Sequence, residues 1–460
     1  MACAVSVALA AAAGRPSALD PIAAVVMEVT PVDAANALLL GLGDAAKPLA
    51  LVGAAAVVMG CVAVIWRIAR NGRRGLAVAG VLGTAGAAWL GARSETLSFA
   101  TFLAMLSLLL GVRYPSTKPA RSARRRSVLR VGANVAALAL IGGAPPLASL
   151  ARAWLLAERA GRALFAFKPP LPRGPGFDVA GLTDEITPTG AFYRMSKNVA
   201  DPAISWAGWR LRVVSDARAR EWSLDEILSL PATHRYVTMQ CVSNPVGGPL
   251  WSAALFTGCT LADLLQEVPL NDGAMALFRG VDGHVERVPL AWAQGDSCIL
   301  AFGMNGAMLD TSHGFPLRLV AGGAYGFRSV KWLSEIEVSA NVSPGHWESR
   351  GWTAFEVNTT TRVDVARSDG LCAGVAFAGR RGVQSVSARV AGGPWIPAEL
   401  HLPPLAQSMW VQWRAALGPL EPGSVIEAYA VDGAGQAQIE VGRPQFPGGA
   451  TGLHRRLVSA

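Results

Sequence analysis

Cysteine and histidine are both scarce in this chain of 460 residues, and their spacing excludes several kinds of redox protein. The six cysteines are scattered, without a CxxC pair, a CxxCH haem-attachment motif or ferredoxin-type spacing. All six histidines follow residue 230, so the apolar first part of the chain has no histidine pair for a b-type haem. The cysteines do not suggest a disulfide framework either. Cys259, Cys298 and Cys372 are expected to be small buried hydrophobes.

Charged residues make up only 16% of the chain, and they are unevenly placed. Much of the net charge of +9 lies in two short basic loops, at residues 67–74 and 113–130, whereas nucleic-acid binding needs a basic surface. No nucleic-acid partner is therefore expected. Uncharged segments border these loops, each close to the roughly 20 residues that cross a bilayer, at residues 48–66, 75–92, 96–112 and 131–150.

Residues 1–150 are thus predicted to be a bundle of four transmembrane helices, and the alternative is a set of buried core helices. Residues 2–13 are apolar but too short to span unless they continue a truncated fifth helix. Positive-inside logic places both basic loops in the cytoplasm, so the chain after residue 150 is expected on the periplasmic or extracellular side of the cell membrane. Arg125 and Arg126 precede an apolar stretch and resemble a twin-arginine export signal. The alternative is that they only fix topology.

The remaining chain is predicted to hold a linker and two globular domains. Prolines stiffen a linker at residues 151–177. Residues 178–345 alternate strand-like runs with helix-like ones, which indicates an α+β domain. The strand-like runs lie at residues 209–214, 236–239, 299–302 and 317–320, and the helix-like runs at 224–230 and 261–267.

Residues 346–460 lack helical signals and predict a β-sandwich. Short strand-like runs separated by Gly, Pro and Asp turns are typical of that architecture. The runs lie at residues 363–365, 372–378, 383–390, 409–415 and 424–431.

One cysteine stands apart from the others. Cys241 lies in an irregular, glycine-rich turn at residues 240–248, directly after a strand-like run. A thiolate is a soft ligand that soft metal centres select. The alternative for a lone cysteine is a buried structural thiol, so Cys241 alone does not establish a metal site.

Five motifs in one order carry a resemblance to a known family. They lie at residues 192–198, at Cys241, and at 278–282, 313–318 and 329–331. Together they resemble the molybdopterin-binding domain of the sulfite oxidase family. Residues 375–395 resemble the immunoglobulin-like dimerisation domain that follows it, so the sandwich is expected to pack or to form a homodimer. The expected fold is a transmembrane helix bundle, then this α+β domain, then an immunoglobulin-like sandwich.

The resemblance implies a molybdenum oxidoreductase with one molybdopterin per chain and the Cys241 thiolate as the metal ligand. Arg318 would bind the cofactor's phosphate with its planar fork. Taken singly, His313 could instead cap a turn, and Arg318 or Lys331 could be surface charges. The full set of implied cofactor contacts is Tyr193, Asn198, Cys241, Asn244, Asp282, His313, Arg318, Ser329, Val330 and Lys331.

The expected catalytic group adds three residues to Cys241, and two of them depart from the family. Lys197 stands where sulfite oxidases have arginine, and an ammonium cannot bind an oxyanion bidentately. Trp352, near Arg350, stands where they have an active-site tyrosine. The predicted reaction is therefore oxygen-atom transfer on a small sulfur or nitrogen compound, with electrons exchanged with an external cytochrome or quinone-linked carrier. The alternative is a non-catalytic binding or sensor module that keeps the fold.

Overall fold

The computed structural model describes residues 176–198, 201–215, 218–265 and 274–458. The predicted membrane spans, basic loops and export signal lie outside these residues. Within the described part, no helix is both long and apolar enough to cross a bilayer. Ser196–Ala203 groups with a different unit of the chain from Arg152–Met195 and Ile204–Ala460, which hold all the elements given below.

The first domain is built mainly of strands, with three short helices. The helices are α1 (Leu224–Ser229), α2 (Leu261–Leu265) and α3 (Leu290–Ala293). The strands are β1 (Arg210–Ser215), β2 (Arg218–Ser223), β3 (Thr233–Gln240), β4 (Trp251–Cys259), β5 (Met275–Gly280), β6 (Val285–Pro289), β7 (Cys298–Met304), β8 (Ala307–Met308), β9 (Arg318–Ala321) and β10 (Leu333–Ser339). The predicted strands and the predicted helix at residues 224–230 are confirmed, and the predicted helix at 261–267 is confirmed as far as Leu265, beyond which it lies outside the described residues.

Two sheets of these strands, one mixed and one antiparallel, enclose the first core. One sheet has the order β2-β1-β10-β5-β6, in which β1 and β10 are parallel. The other has the order β3-β4-β7-β8, with β9 also paired to β7. Apolar side chains of both sheets share one buried cluster, for example Leu211, Phe278 and Ile336 from the first and Leu300 and Leu319 from the second. Because β4 is buried along its whole length, its sequence is apolar almost throughout.

Local sequence explains where α1 begins. Ser223 and Glu226 form a capping box, in which the Glu226 backbone N–H donates to the Ser223 hydroxyl at 3.2 Å. The Ser223 backbone N–H donates in return to the Glu226 carboxylate at 2.7 Å. Both donors would otherwise lack an intrahelical partner, so this pair fixes the start of a helix only six residues long.

The second domain consists of two antiparallel four-stranded sheets. Its strands are β11 (Thr360–Ala366), β12 (Leu371–Phe377), β13 (Val383–Val390), β14 (Ile396–Pro397), β15 (Glu399–Leu400), β16 (Val411–Ala416), β17 (Val425–Asp432) and β18 (His454–Leu457). The sheet orders are β11-β12-β16-β15 and β14-β13-β17-β18, and Val386, Trp413 and Ile426 lie in their shared core. The strand predictions are confirmed, and the immunoglobulin-like assignment stays a prediction.

The second domain contacts the strand that carries the cysteine turn. The Thr238 backbone N–H on β3 donates to the Ser408 carbonyl at 3.1 Å, and the Trp410 backbone N–H donates to the Thr238 hydroxyl at 2.9 Å. The end of β3 is thereby fixed against the segment that precedes β16. Cys259, Cys298 and Cys372 are buried free thiols, as expected.

Candidate functional site

The turn that follows β3 holds Cys241 through backbone hydrogen bonds. The Cys241 N–H donates to the Leu250 carbonyl at 2.9 Å, and the Cys241 carbonyl accepts from the Asn244 N–H at 3.0 Å. Asn244 then closes the turn, because its side-chain oxygen accepts from the Leu250 N–H at 2.8 Å. The predicted cofactor contact Asn244 is buried and fixes the shape of the cysteine turn.

The second domain packs closely on the far end of this turn. Gly247 has a left-handed backbone, with φ of 73°, and a Cβ there would lie 1.9 Å from Cδ2 of His454. The His454 Nδ1 accepts a hydrogen bond from the Val363 N–H at 3.0 Å, which fixes the ring. Arg362 donates to the Gly248 carbonyl at 3.4 Å. Residue 247 must therefore be glycine both for its backbone angle and for space.

Two tyrosine phenols lie within electrostatic reach of the buried Cys241 thiol. Burial raises the pKa of Cys241, partly offset by hydrogen bonds from Ser243. Burial also raises the pKa of Tyr193, and the Cys241 charge raises it further while Arg318 lowers it. Burial, and then Cys241 among other groups, raises the pKa of Tyr325 to about 12. Electrostatic interactions thus connect the thiol with both phenols, and Tyr193 with the guanidinium of Arg318.

Glycine at position 326 brings these groups together. A Cβ there would lie 2.2 Å from the Tyr193 hydroxyl oxygen and 3.2 Å from the Gln240 carbonyl oxygen. The segment after Tyr325 therefore lies directly against the residue that precedes Cys241. The Gln240 side-chain oxygen is buried and, among the described residues, accepts no hydrogen bond. This acceptor next to Cys241 is open to a ligand.

Arg318 is a buried cation without an anionic partner in the described part of the chain. The residue is 4% exposed, and its Nη1 donates to the His313 carbonyl at 3.0 Å. Its Nη2 has only the Met239 sulfur, at 3.9 Å, and no described carboxylate lies within 4.0 Å of the guanidinium. Burial lowers its pKa to about 10. Buried guanidinium groups are normally paired, so this one is suited to an anionic ligand.

A second buried arginine in the same domain has carboxylate partners. Arg328 is 2% exposed and pairs with Glu286 and Glu348, each at 3.1 Å. Burial raises the pKa of Glu286 to about 7, with Arg328 opposing the shift. The contrast distinguishes a structural ion pair from the unpaired charge of Arg318.

Comparison with known proteins identifies this region. Residues 198–347 match the family model of the oxidoreductase molybdopterin binding domain. The chain is 30% identical to the mitochondrial sulfite oxidase of Drosophila melanogaster over 211 residues, 40% of this chain and 36% of that protein. It is 27% identical to the sulfite oxidase of Arabidopsis thaliana over 331 residues, 56% of this chain and 84% of that protein. The chain thus spans little more than a third of the Drosophila protein's length.

Residues 198–347 therefore contain a molybdopterin-binding oxidoreductase domain, which is similar to that of sulfite oxidases. A solved structure supports the fold. The sulfane dehydrogenase SoxCD from Paracoccus pantotrophus aligns with a TM-score of 0.53 and 18% identity, covering 64% of this chain and 83% of that one. An oxidoreductase that carries a molybdenum cofactor is therefore supported, as the sequence motifs predicted.

The donor set around Cys241 fits a molybdenum–pterin cofactor. A thiol can serve as a metal ligand once it is deprotonated, and a metal ion lowers the thiol pKa that burial has raised. The unpaired guanidinium of Arg318 fits a phosphate, and the open oxygen of Gln240 fits a polar N–H. The thiol thus suits the metal, the guanidinium suits the phosphate, and the amide oxygen suits the pterin.

His313 lies in the molybdopterin-binding domain as a buried turn residue next to Arg318. Its backbone N–H donates to the Asp310 carboxylate at 2.8 Å, and its Nε2 lies 3.1 Å from the Thr189 carbonyl. Burial lowers its pKa. Because a carbonyl oxygen can only accept, the His313 Nε2 donates its hydrogen to Thr189, and the His313 carbonyl orients Arg318. Asp310 and not His313 caps this turn, and the predicted cofactor role of His313 stays a prediction.

Residues 329–331 form a segment beside β9. The Ser329 hydroxyl accepts from the Ala321 N–H at 3.0 Å, and the Val330 carbonyl accepts from the Leu319 N–H at 2.8 Å. Lys331 donates to the Ser312 carbonyl at 3.0 Å and lies 4.1 Å from the Trp332 ring centroid. These contacts tie the segment to the His313 turn, and the predicted cofactor roles of all three residues stay predictions.

Five other predicted residues remain to be placed. Asp282 caps the turn between β5 and β6, where its carboxylate accepts from the His284 N–H at 3.0 Å. Arg350 is exposed and donates to the His346 carbonyl, and Trp352 is buried against Phe446 with ring centroids 5.2 Å apart. Lys197 donates to Asn198 at 2.9 Å within the unit that holds Ser196–Ala203. Their predicted roles stay predictions.

Tyr325 and Gln240 were missed by the sequence analysis. Tyr325 lies in a glycine-rich segment with no periodicity, and its electrostatic interaction with Cys241 joins residues 84 positions apart. Gln240 immediately precedes the cysteine, so the turn motif already contained it. The sequence offered one signal in each case: Tyr325 directly precedes Gly326, and Gln240 directly precedes Cys241.

Proposed function

We propose that this chain is a membrane-anchored molybdenum-cofactor oxidoreductase of the sulfite oxidase family. It would transfer an oxygen atom to or from a small sulfur- or nitrogen-containing substrate and exchange electrons with an external carrier. The observation that carries the proposal is the buried Arg318 guanidinium, which has no carboxylate partner among the described residues and contacts Met239, two residues before Cys241. A charge in that position is costly unless a phosphate or another anion accompanies it.

The protein's own groups would divide the work of holding the cofactor. Cys241 would provide the metal–sulfur bond, Arg318 would bind the terminal phosphate, and the Gln240 amide oxygen would accept from the pterin. When bound, the molybdenum cofactor supplies two-electron oxygen-atom transfer. The protein shields Cys241, a residue that is 7% exposed, from bulk water and holds it on a turn fixed from both domains.

The anchoring and the location are part of the same proposal. The uncharged segments of residues 48–150 support several membrane spans, and the basic loops support an orientation with the catalytic domain on the periplasmic or extracellular side. The Arg125–Arg126 pair supports export of an already folded, cofactor-loaded domain. A cytochrome or a quinone-linked carrier would then accept or donate the electrons, and the second domain would support a homodimer.

The test is the metal content and reactivity of the purified full-length protein. We expect molybdenum near one atom per chain, and oxygen-atom transfer in a panel that includes sulfite, sulfoxides, N-oxides and nitrate. Arg318→Met should lose the cofactor, whereas Arg414→Met, at an exposed pair with Glu399, should keep it. A stably folded wild-type chain without molybdenum would contradict the proposal and favour a binding module.

A further inference from the structure

A cleft of about 820 Å³ lies between the two domains, apart from the candidate functional site. Its lining includes Trp292 and Ser297 from the first domain and Glu356, Arg380, Arg381 and Gln407 from the second. Of the described site residues, neither Cys241 nor Arg318 is part of this lining. Sites for small molecules are concave and measure roughly 300–1,000 Å³, so the cleft has the size of a ligand site.

The side chain of Arg380 is held in place inside this cleft. Its guanidinium carbon lies 4.0 Å from the centroid of the Trp292 ring. Trp292 is itself fixed, because its indole N–H donates to the Gly322 carbonyl at 3.3 Å and its ring meets Phe355 edge-on, with centroids 4.9 Å apart. The aliphatic part of Arg380 packs on Gly323, where a Cβ would lie 2.6 Å from the arginine Cγ. Arg380 is thus positioned before a ligand binds, which lowers the entropic cost of binding.

The other charged groups that line the cleft have partners of opposite charge. Arg381 donates to Glu356 at 2.8 Å, and Asp296 lies 3.4 Å from the guanidinium of Arg235. Arg380, by contrast, makes no side-chain hydrogen bond and has no carboxylate within 4.0 Å among the described residues. It is therefore the charge in this cleft that remains for a ligand.

Other arginines that stack on aromatic rings show how unusual this is. Five of them in the described part of the chain also have a carboxylate within 4.0 Å, namely Arg220, Arg328, Arg362, Arg389 and Arg414. Arg389 is the closest parallel, because it also lies 4.0 Å from an indole ring, that of Trp395, but donates to Glu427 at 2.7 Å. The exceptions are Arg380 and Arg318, the arginine that is suited to the cofactor's phosphate.

We propose that the cleft is a second binding site, and that Arg380 binds the carboxylate or phosphate group of a small organic anion there. Water can solvate an exposed guanidinium, so the missing carboxylate alone would not define a site. The fixed stack and the surrounding cleft add a preformed shape, and the planar fork of a guanidinium matches both kinds of oxyanion. The amide of Gln407 lines the same cleft and can donate a further hydrogen bond. This inference goes beyond the proposed function and does not require molybdenum.

The test measures anion binding to the purified full-length protein by calorimetry, with inorganic phosphate and citrate as separate probes. We expect at least one probe to bind to wild type, and to bind about tenfold or more weakly to Arg380→Met, because a charge-assisted contact is lost. Arg414→Met is the matched control and should bind like wild type. Arg414 also stacks on an aromatic ring, 4.4 Å from that of Phe177, but it pairs with Glu399. The probe that binds identifies the anionic group.

Arg318→Met separates this cleft from the cofactor site. Binding that depends on Arg380 should persist in Arg318→Met. If neither probe binds to wild type, or if Arg380→Met binds both as wild type does, this inference is overturned and the proposed function is not. A wild-type chain that binds a probe through Arg380 but contains no molybdenum overturns the proposed function alone.

A structure of the wild-type protein with phosphate or citrate covers the case in which Arg380→Met does not fold. An anion seated against the guanidinium of Arg380 supports the inference. A bound anion that contacts other residues instead, or a cleft that stays empty at saturating probe, overturns it.

Discussion

The imidazole of His454 lies against Gly247 so closely that a single methyl group between them would overlap the ring. One residue belongs to the last strand of the second domain and the other to the turn that carries Cys241. The second domain therefore does more than follow the cofactor domain along the chain. It forms one wall of the turn that presents the thiol, so changes at this contact are expected to reach the metal site.

Gly247→Ala is the first prediction. The substitution places a Cβ within 1.9 Å of the His454 ring and also strains a backbone with φ of 73°. We expect a loss of unfolding free energy of more than about 2 kcal/mol and loss of most bound molybdenum, measured by denaturant titration and metal analysis. Gly392→Ala is the control, because Gly392 has φ of 81° in open space and shows the strain alone, about 1 kcal/mol with full metal. Equal effects of the two variants would contradict the account.

Arg318→Met should separate stability from cofactor binding. The change removes a buried, unpaired charge and leaves an apolar side chain of similar length next to Met239. Protein produced without molybdate should keep its unfolding free energy or gain on the order of 1 kcal/mol, because no uncompensated charge remains buried. Protein produced with molybdate should bind little cofactor. Clear destabilisation of the cofactor-free variant would mean that Arg318 is a structural residue.

The pH dependence of stability should reveal the buried carboxyl of Glu286. Burial raises its folded-state pKa to about 7, above the ordinary value of 4.5. The folded state then holds a proton that the unfolded state has lost, so its contribution is fully present below pH 4.5 and is lost as the pH rises through 7. In wild type this group should lower the unfolding free energy by on the order of 2 kcal/mol between pH 4.5 and 8. In Glu286→Gln this decrease should be absent, which unfolding titrations across that pH range would measure.

The pH dependence of the unfolding free energy has to be compared between wild type and Glu286→Gln, because other groups also contribute to it. Burial lowers the pKa of His313 and of His454, and both groups therefore make stability rise with pH below their ordinary value, in wild type and variant alike. The glutamine keeps an oxygen that can accept from the Trp347 N–H. Parallel pH curves for wild type and Glu286→Gln would show that the carboxyl ionises normally next to Arg328.

The strand content could be read from the sequence because it rests on local patterns. Alternation along residues 383–390 predicted β13, and the glycine-rich segment after residues 236–239 predicted an irregular turn after a strand. The parallel pairing of β1 with β10 could not be predicted in this way, because it joins Val213 to Ile336, which are far apart in the sequence. Local propensity contains no information about such a register.

Site residues that lie within a sequence motif could be predicted. Residues whose role depends on contacts between distant segments could not. Cys241 and Arg318 could be named from the resemblance. That no described carboxylate pairs with Arg318, whereas two pair with Arg328, is seen only when distant segments come together. Tyr325 is the clearest example, because its environment depends on Cys241 and on Gly449, which lie far apart along the sequence.

The ligand role of Cys241 is the claim on which the proposed function depends, and Cys241→Ser tests it most directly. The variant should fold, because serine is nearly isosteric and the backbone hydrogen bonds of the turn remain. Cys298→Ser, at another buried thiol, is the control. The account predicts that the sulfur-to-metal absorption band of the molybdenum-loaded protein disappears in Cys241→Ser and persists in Cys298→Ser. A band that is unchanged in Cys241→Ser would contradict the account.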